Sequence, residues 1–557
     1  MNTFIIDLTH GGVKIAIELS KLAKKLKDNE NNSEYTLYET IYAYDLYNTL
    51  KEEDKLLLQV YNIIILKDLE DLKDKIANSP KYEEIENTSK SKKIQNIYKN
   101  IIINPIHSSL DIKSILKESA MNDSFEIITH HEGVKLILEN WKVECDKQDV
   151  KCIELTGVKG KTSTSYILKE IFESTHKDIL LLSSLGAHLF KELGSTGKFR
   201  ELILQKNISI TPASILNTVE LAKKIANPKC SYQKCDCKSL DNLKKEEIGI
   251  QEYENNPYSN LNYEISIFES SLGNCGLGDI GILTNIVENY SIAKGTSNAK
   301  EAKKQVFKCP IVVIEEETLN KHYPDEKELY KDKINTFSLD ESLNSSSLNN
   351  SSNVFAENIG YGINETKFTI NYNNLKTIEG NLISGTIHIK TFAPGKHHIY
   401  NVLAAITTAL ALNISEKAIK EGLSNFKGIP GRSSRKVIKN SQIIEEINPG
   451  INTKAIESSI NMIKPIEDYY IIIGGKYGIT CEEIDEEKLS KFLNNYLKDN
   501  KNLNLILTDE LGESIKNKLD YDVKFIKDPE KAQEIAINEN KNILFIYRSN
   551  YSQTSKR

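Results

Sequence analysis

The sequence predicts a multidomain α/β protein: a central, mostly parallel sheet carrying a phosphate loop, flanked by N-terminal and C-terminal α/β domains. Three observations predict it. The chain has 557 residues and a mass of 63.1 kDa, more than a single hydrophobic core accommodates. Short, Ile-rich apolar runs alternate with stretches of helical length along most of it, the pattern of strand–helix–strand units. Residues 152–172 read as strand, glycine turn, Lys-Thr and helix, a layout that turns backbone N–H groups and a lysine toward phosphate.

Residues 1–147 form the first predicted domain. Phe4-Ile5-Ile6-Asp7-Leu8 reads as a strand and residues 13–26 as an amphipathic helix. Residues 63–66, 101–103 and 125–128 repeat the strand signal. Polar groups follow the strand ends: Asp7-Leu8-Thr9-His10-Gly11-Gly12, Asp45, and Asn104-Pro105-Ile106-His107. Ligands of such sheets bind at the carboxyl ends of strands. Substrate binding by this region, with His10 and His107 as the candidate contacts, stands beside plain helix capping by Thr9 and Asn104.

Residues 148–431 form the predicted nucleotide-binding domain. Its strands are expected at 152–155, 179–182, 263–269, 279–284 and 311–314, with alternating strand patterns at 366–370 and 384–389 and an Ala- and Leu-rich helix over 399–412. Residues 230–260 and 338–353 are polar and read as inserted loops. Residues 432–557 return to strand–helix alternation, with strands at 442–445, 469–473, 503–507 and 543–546. A nucleotide domain between two others predicts a cleft that closes on substrate and keeps water from a reactive intermediate.

Composition bounds the function. A net charge of −6, from 72 basic and 78 acidic residues, implies no cationic surface, so nucleic acid is not an expected partner. No leader segment and no long apolar span is evident, so a cytoplasmic location without a membrane partner is expected. Eight cysteines are too few for a disulfide framework. Cys230, Cys235 and Cys237 lack a clear fourth ligand, which favours a bland insertion over a metal clip.

The loop itself is Thr156-Gly157-Val158-Lys159-Gly160-Lys161-Thr162-Ser163. Its backbone is expected to hold ATP phosphates, Lys161 to reach the terminal phosphates, and Thr162 to ligate Mg²⁺. The early glycine of the full Walker pattern is replaced by Leu155. Glu269 ends an apolar strand, so it either holds the same Mg²⁺ or caps the next turn. Arg432 suits a γ-phosphate clamp because a guanidinium makes two parallel bonds. Asn401 either orients the adenine or hinge region or caps a helix. Lys303 lies on a predicted helix, as a metal-site group or as a solvated lysine.

In order, these segments resemble the motifs of the Mur ligase superfamily. The loop is similar to its TGTNGKT[ST] motif, and Thr211-Pro212 to the signature near the substrate phosphate site. Glu269-Ser270-Ser271 resembles the segment whose Glu holds Mg²⁺, and Thr284-Asn285-Ile286 the TN[IL] strand end. Ala302-Lys303-x-x-Val306-Phe307 resembles the helix whose Lys is carbamylated in many members. Gly395-Lys396-His397 with Asn401 resembles a helix entry in which His398 replaces the first Asn, and Gly428-Ile429-Pro430-Gly431-Arg432 the hinge into the last domain. The resemblance implies ATP and Mg²⁺, with Lys161, Glu269, Lys303 and Arg432 as catalytic groups and Thr162, Glu269 and Lys303 as metal ligands.

The departures are informative. Glu288-Asn289 stands where amide-forming members carry Asp-His, so the Asn289 amide oxygen is expected to replace an imidazole ligand. Glu445-Glu446-Ile447-Asn448-Pro449-Gly450 replaces DxxHNP, and Gly474-Gly475-Lys476-Tyr477-Gly478 replaces GxGGxRD. With the N-terminal Asp7–Gly12 segment, these features resemble the coenzyme F430 synthetase family of methanogenic archaea. That resemblance implies a nickel tetrapyrrole substrate, the seco-F430 acid, whose propionate is activated as an acyl phosphate and closed onto a ring carbon. It also implies transient contact with other enzymes of the same biosynthesis. Glu445 and Glu446 are candidate proton-abstracting bases, solvated acids being the alternative. The rival readings are an amide ligase joining an amino acid to a carboxylate, and an ATP-switched binding or nickel-carrier protein.

Overall fold

The computed structural model describes residues 1–9, 11–28, 40–81, 99–206, 208–226, 261–292, 295, 297–339, 352–362, 365–429, 432–448, 451–463, 469–478, 484–500 and 504–549. His10 and the cluster Cys230, Cys235 and Cys237 lie outside them. The first sheet holds β1 (Asn2–Ile6), β2 (Thr40–Tyr44), β3 (Ile64–Leu66), β4 (Asn100–Ile103) and β5 (Phe125–Ile128). All run parallel in the order β3-β2-β1-β4-β5. Phe4, Ile5 and Ile6 are fully buried because helices cover both faces of the central strand, which is why it reads as an unbroken apolar run.

The second sheet has eleven strands in the order β18-β17-β16-β15-β14-β11-β6-β10-β7-β8-β9. Its members are β6 (Lys151–Thr156), β7 (Ile179–Ser183), β8 (Gly186–Glu192), β9 (Phe199–Lys206), β10 (Ile265–Glu269) and β11 (Ile280–Leu283). Beyond a two-stranded ribbon, β12 (Ser291–Ile292) and β13 (Ser297–Asn298), it continues with β14 (Ile311–Glu315), β15 (Ile334–Leu339), β16 (Val354–Gly360), β17 (Thr366–Lys376) and β18 (Leu382–Thr391). The middle is parallel and both edges are antiparallel. The edge strand β9 escapes a hydrophobicity reading because its residues are half-exposed or exposed and charged. The predicted loop 338–353 is shorter than expected: Ser338 and Leu339 finish β15, and Asn353 bonds back to Thr336.

A buried carboxylate locks this sheet. Glu154 on β6 accepts N–H bonds of 2.8–3.0 Å from Cys275, Gly276, Leu277 and Gly278, and is 1% exposed. Four donors offset the cost of taking one charge out of water. They also fix the turn that feeds β11.

The third sheet, in the order β19-β20-β24-β21-β22-β23, holds β19 (Arg432–Ile438), β20 (Ser441–Ile447), β21 (Tyr469–Gly475), β22 (Asn504–Thr508), β23 (Lys524–Ile526) and β24 (Asn542–Arg548). Its two cores draw only on its own residues, such as Ile444, Ile473 and Leu544. The N-terminal sheet differs. One core joins Ile5, Ile15 and Ile103 to Leu180, Leu182, Ala213 and Phe268 of the central unit, around the buried Trp141. The Trp141 indole N–H donates to the Tyr263 hydroxyl at 2.8 Å. Among the described residues no helix is long and apolar enough to cross a membrane.

Replacing Glu154 by Gln turns an amide N–H₂ onto backbone donors that need an acceptor. A loss on the order of 3 kcal/mol is expected. Denaturant unfolding monitored by circular dichroism checks it; an unchanged midpoint contradicts the proposed lock.

Candidate active site

The loop between β6 and the helix Lys161–Glu173 is shaped by what surrounds it. Gly157 has φ +148°, and a β-carbon there would lie 1.9 Å from the Thr284 hydroxyl oxygen. Gly160 has φ +84°, and its β-carbon would lie 2.1 Å from Asn401 Oδ1. Both positions therefore need glycine for space as well as for backbone freedom. Thr284-Asn285, directly after β11, clamps the loop. The Val158 N–H donates to the Asn285 carbonyl at 3.0 Å and the Lys159 N–H to Asn285 Oδ1 at 3.0 Å. The Thr284 hydroxyl donates to the Lys159 carbonyl at 2.6 Å. Lys161 Nζ reaches the Gly157 carbonyl at 3.0 Å, so its ammonium lies over the turn.

At the first helical turn the Thr162 hydroxyl donates to both carboxylate oxygens of Glu269, at 3.1 and 3.0 Å. The Ser184 N–H donates to Glu269 Oε2 at 3.1 Å, and the Ser184 and Thr162 hydroxyl oxygens are 3.0 Å apart. Glu269 is 1% exposed. These are hard oxygen donors of the kind Mg²⁺ takes beside phosphate. Ser184 was missed in the sequence, although its place after an apolar strand marks it as a strand-end residue.

Lys303 is fully buried, and its ammonium donates to the Ser271 carbonyl. Burial first, and the nearby Lys161 charge second, hold its pKa down to about 7. The solvated-lysine alternative is therefore excluded. A lysine half neutral near neutrality is a competent nucleophile toward CO₂.

On the other flank, Ser163, Ile167, Phe392, His398, Asn401, Phe426 and Gly428 line a small cavity beside the loop helix. His398 is buried, and the tilted ring of His397 lies against it with centroids 3.8 Å apart. Burial first, then His397, pushes the His398 pKa well below its ordinary value, so the ring is neutral.

The remaining predicted residues fall into three places. Thr211 and Pro212 open the helix Pro212–Ala226, where the Ile210 carbonyl accepts from the Ser271 N–H at 3.1 Å. Asn289 does not join the Glu269 cluster: it is exposed, and its Oδ1 accepts from the Lys300 N–H at 2.9 Å, tying down the helix that carries Lys303. His107 lies in the turn after β4 of the N-terminal sheet. In the third sheet Arg432 pairs with Glu446 through the backbone of β19 and β20; the Arg432 side chain lies outside the described residues. Glu445 is buried against Lys436 and Ser434 of its own domain.

A glycine loop, a hydroxyl–carboxylate pair beside it and a small cavity lined by a buried imidazole thus flank one helix, Lys161–Glu173. The family model described as "Coenzyme F430 synthetase CfbE, C-terminal domain" matches residues 435–550. Coenzyme F(430) synthetase from Methanocaldococcus jannaschii is 25% identical over 523 residues, covering 92% of this chain and 92% of that protein. Its counterpart from Methanosarcina acetivorans is 25% identical over 534 residues, covering 92% and 90%. UDP-N-acetylmuramoyl-L-alanyl-D-glutamate–2,6-diaminopimelate ligase from Alkaliphilus metalliredigens is 23% identical over 336 residues, covering 58% and 55%. The chain is homologous to the Mur ligase superfamily and specifically to coenzyme F430 synthetases, and it is a ligase-type enzyme.

Gly160→Ala should abolish measurable ATP binding, since the added methyl collides with Asn401. Asn401→Ala in the same chain should restore part of the binding by making room. Titration calorimetry of the two variants checks this; equal losses in both would contradict the steric account.

Proposed function

We propose that the enzyme uses ATP to activate the propionate carboxylate of the nickel tetrapyrrole seco-F430 acid as an acyl phosphate. A ring carbon of the same molecule then displaces phosphate and closes the carbocyclic F ring, giving coenzyme F430, ADP and phosphate. The observation that carries this reading is the similarity to coenzyme F430 synthetases along nearly the whole chain.

The site supports the first half-reaction. The loop N–H groups and Lys161 would hold the phosphates, and Arg432 would approach from the third domain. Mg²⁺ would be held by the Thr162 hydroxyl and the Glu269 carboxylate, and would supply positive charge beside the transferring phosphoryl group. Asn401, which packs against Gly160, would orient the adenine or hinge region beside the loop. Lys303 is assigned a carbamate: its amine nitrogen bonds to the carbon of CO₂, one proton leaves, and an anionic oxygen ligand results. An intramolecular carbon nucleophile needs no amine-binding residues, which agrees with the altered segments at 445–450 and 474–478.

The test is anaerobic incubation with seco-F430 acid, ATP and Mg²⁺ and no amine, following ADP and pigment mass together. ADP release matched by loss of one water from the pigment is expected. ADP release that requires an added amino acid, with a mass gain, would replace this reading by amide ligation.

Lys161→Met should lower ADP formation roughly a hundredfold, through about 3 kcal/mol of lost transition-state stabilisation. Lys303→Ala should be impaired to a similar degree and partly restored by acetate, which supplies the missing oxygens. The neutral amine predominates above pH 7, so uptake of labelled bicarbonate by Lys303 should rise with pH across that value at fixed dissolved CO₂. Peptide mass spectrometry after covalent trapping of the carbamate checks this, and labelling independent of pH would contradict it.

A further inference from the structure

Closing a carbon–carbon bond requires a base to take the proton from the attacking carbon. Glu445 is held by Lys436 and Ser434 within the third sheet. A better-placed group lies in the N-terminal sheet. From β1 the chain runs to β2 and β3 on one side and returns to β4 and β5 on the other. The crevice between the carboxyl ends of β1 and β4 is therefore the topological switch point, where open parallel sheets take their ligands. Asp7 follows β1 and His107 follows β4.

Asp7 and His107 meet there. Asp7 Oδ2 lies 2.7 Å from His107 Nε2. The Asp7 carboxylate is fully buried, whereas the His107 side chain is 20% exposed. Asp7 is itself fixed. It adopts φ +64°, unusual for a residue other than glycine. Its oxygens accept from the Thr9 hydroxyl at 2.6 and 2.7 Å and from the Thr9 N–H at 3.0 Å. The turn can form only because Gly12 lacks a β-carbon, which would lie 2.1 Å from the Asp7 carbonyl oxygen. Strain held in place by surrounding structure is a mark of functional sites. A carboxylate only accepts, so in this bond Nε2 is the donor, and Nδ1 is the ring nitrogen through which the dyad would act as a base.

The dyad is coupled to the phosphate site. Gly11 packs so tightly on Ala213 that a β-carbon would lie 2.2 Å from the alanine methyl. Ala213 follows Thr211-Pro212, whose neighbour Ile210 bonds to Ser271, and Ser271 in turn accepts from Lys303. A substrate seated at the switch point thus adjoins the segment that carries Glu269.

We propose that His107 is the base of the ring-closing step and that Asp7 is its positioning residue; this rests on the function proposed above. The carbon–hydrogen pair becomes the new carbon–carbon bond, the bond from acyl carbon to phosphate oxygen breaks, phosphate leaves with its electron pair, and the proton passes to Nδ1. The test compares wild type, His107→Gln and Asp7→Asn with seco-F430 acid, ATP and Mg²⁺, measuring ADP, hydroxylamine-trapped acyl phosphate and closed ring. His107→Gln should still yield ADP and trapped hydroxamate while ring closure falls at least roughly a hundredfold. Added imidazole should restore part of the closure, and Asp7→Asn should show the same split. Loss of ADP and closure in equal proportion, or no loss of closure, overturns the dyad while leaving the proposed function standing. Wild type that forms no closed ring overturns both.

Discussion

The register of three parallel strands is the constraint on which the site depends. β6 lies between β10 and β11, with Leu155 opposite Glu269 and Thr156 opposite Leu283. All three strands therefore end at the same level. The phosphate loop, the Glu269 carboxylate and the Thr284-Asn285 clamp emerge side by side. Parallel hydrogen bonding leaves little choice: a slip of one residue would turn Glu269 to the other face of the sheet. The helix Lys396–Ala411 then crosses this end and puts Asn401 against Gly160. The loop is held in shape by its neighbours before any nucleotide arrives, so binding energy need not be spent on ordering it.

The packing of the three units divides the work. A shared apolar core fixes the N-terminal sheet to the central one, so a substrate held, as proposed, at the N-terminal switch point would keep its place relative to the phosphate loop. The third sheet has cores of its own and follows Gly428, whose φ is +86°. On the function proposed above, closure over the phosphates would fall to the third unit, the one that carries Arg432. Preorganisation of the two reacting groups on a common core would suit an unstable acyl phosphate.

Much of the site was legible because its chemistry is local in sequence. The glycine loop, Lys161 and Thr162 lie within eight residues, and Glu269 ends an apolar strand. Lys303 was legible as a helical lysine, but its burial was not, since Ser271 and the flank that encloses it are distant in the chain. Asn289 was assigned to a metal by analogy of position; in the fold its amide oxygen instead accepts from the Lys300 N–H at the start of the helix that carries Lys303. Ser184 was overlooked, and His398 was noted only as a departure at a helix entry, for the opposite reason. Each is an ordinary residue whose meaning comes from a partner or a cavity supplied by another element.

By itself the sequence determined the α/β class, the parallel middle of the central sheet, and the phosphate loop, because hydrophobic periodicity and glycine placement are local properties of the chain. It also held the Asp7 and His107 segments without indicating that they meet. Only the tertiary structure decided that meeting, along with the Thr162–Glu269–Ser184 cluster, the burial of Lys303 and the antiparallel edge β8–β9. These depend on strand order and on which faces are covered, and long-range pairing is set by packing the whole core rather than by any one segment's preferences.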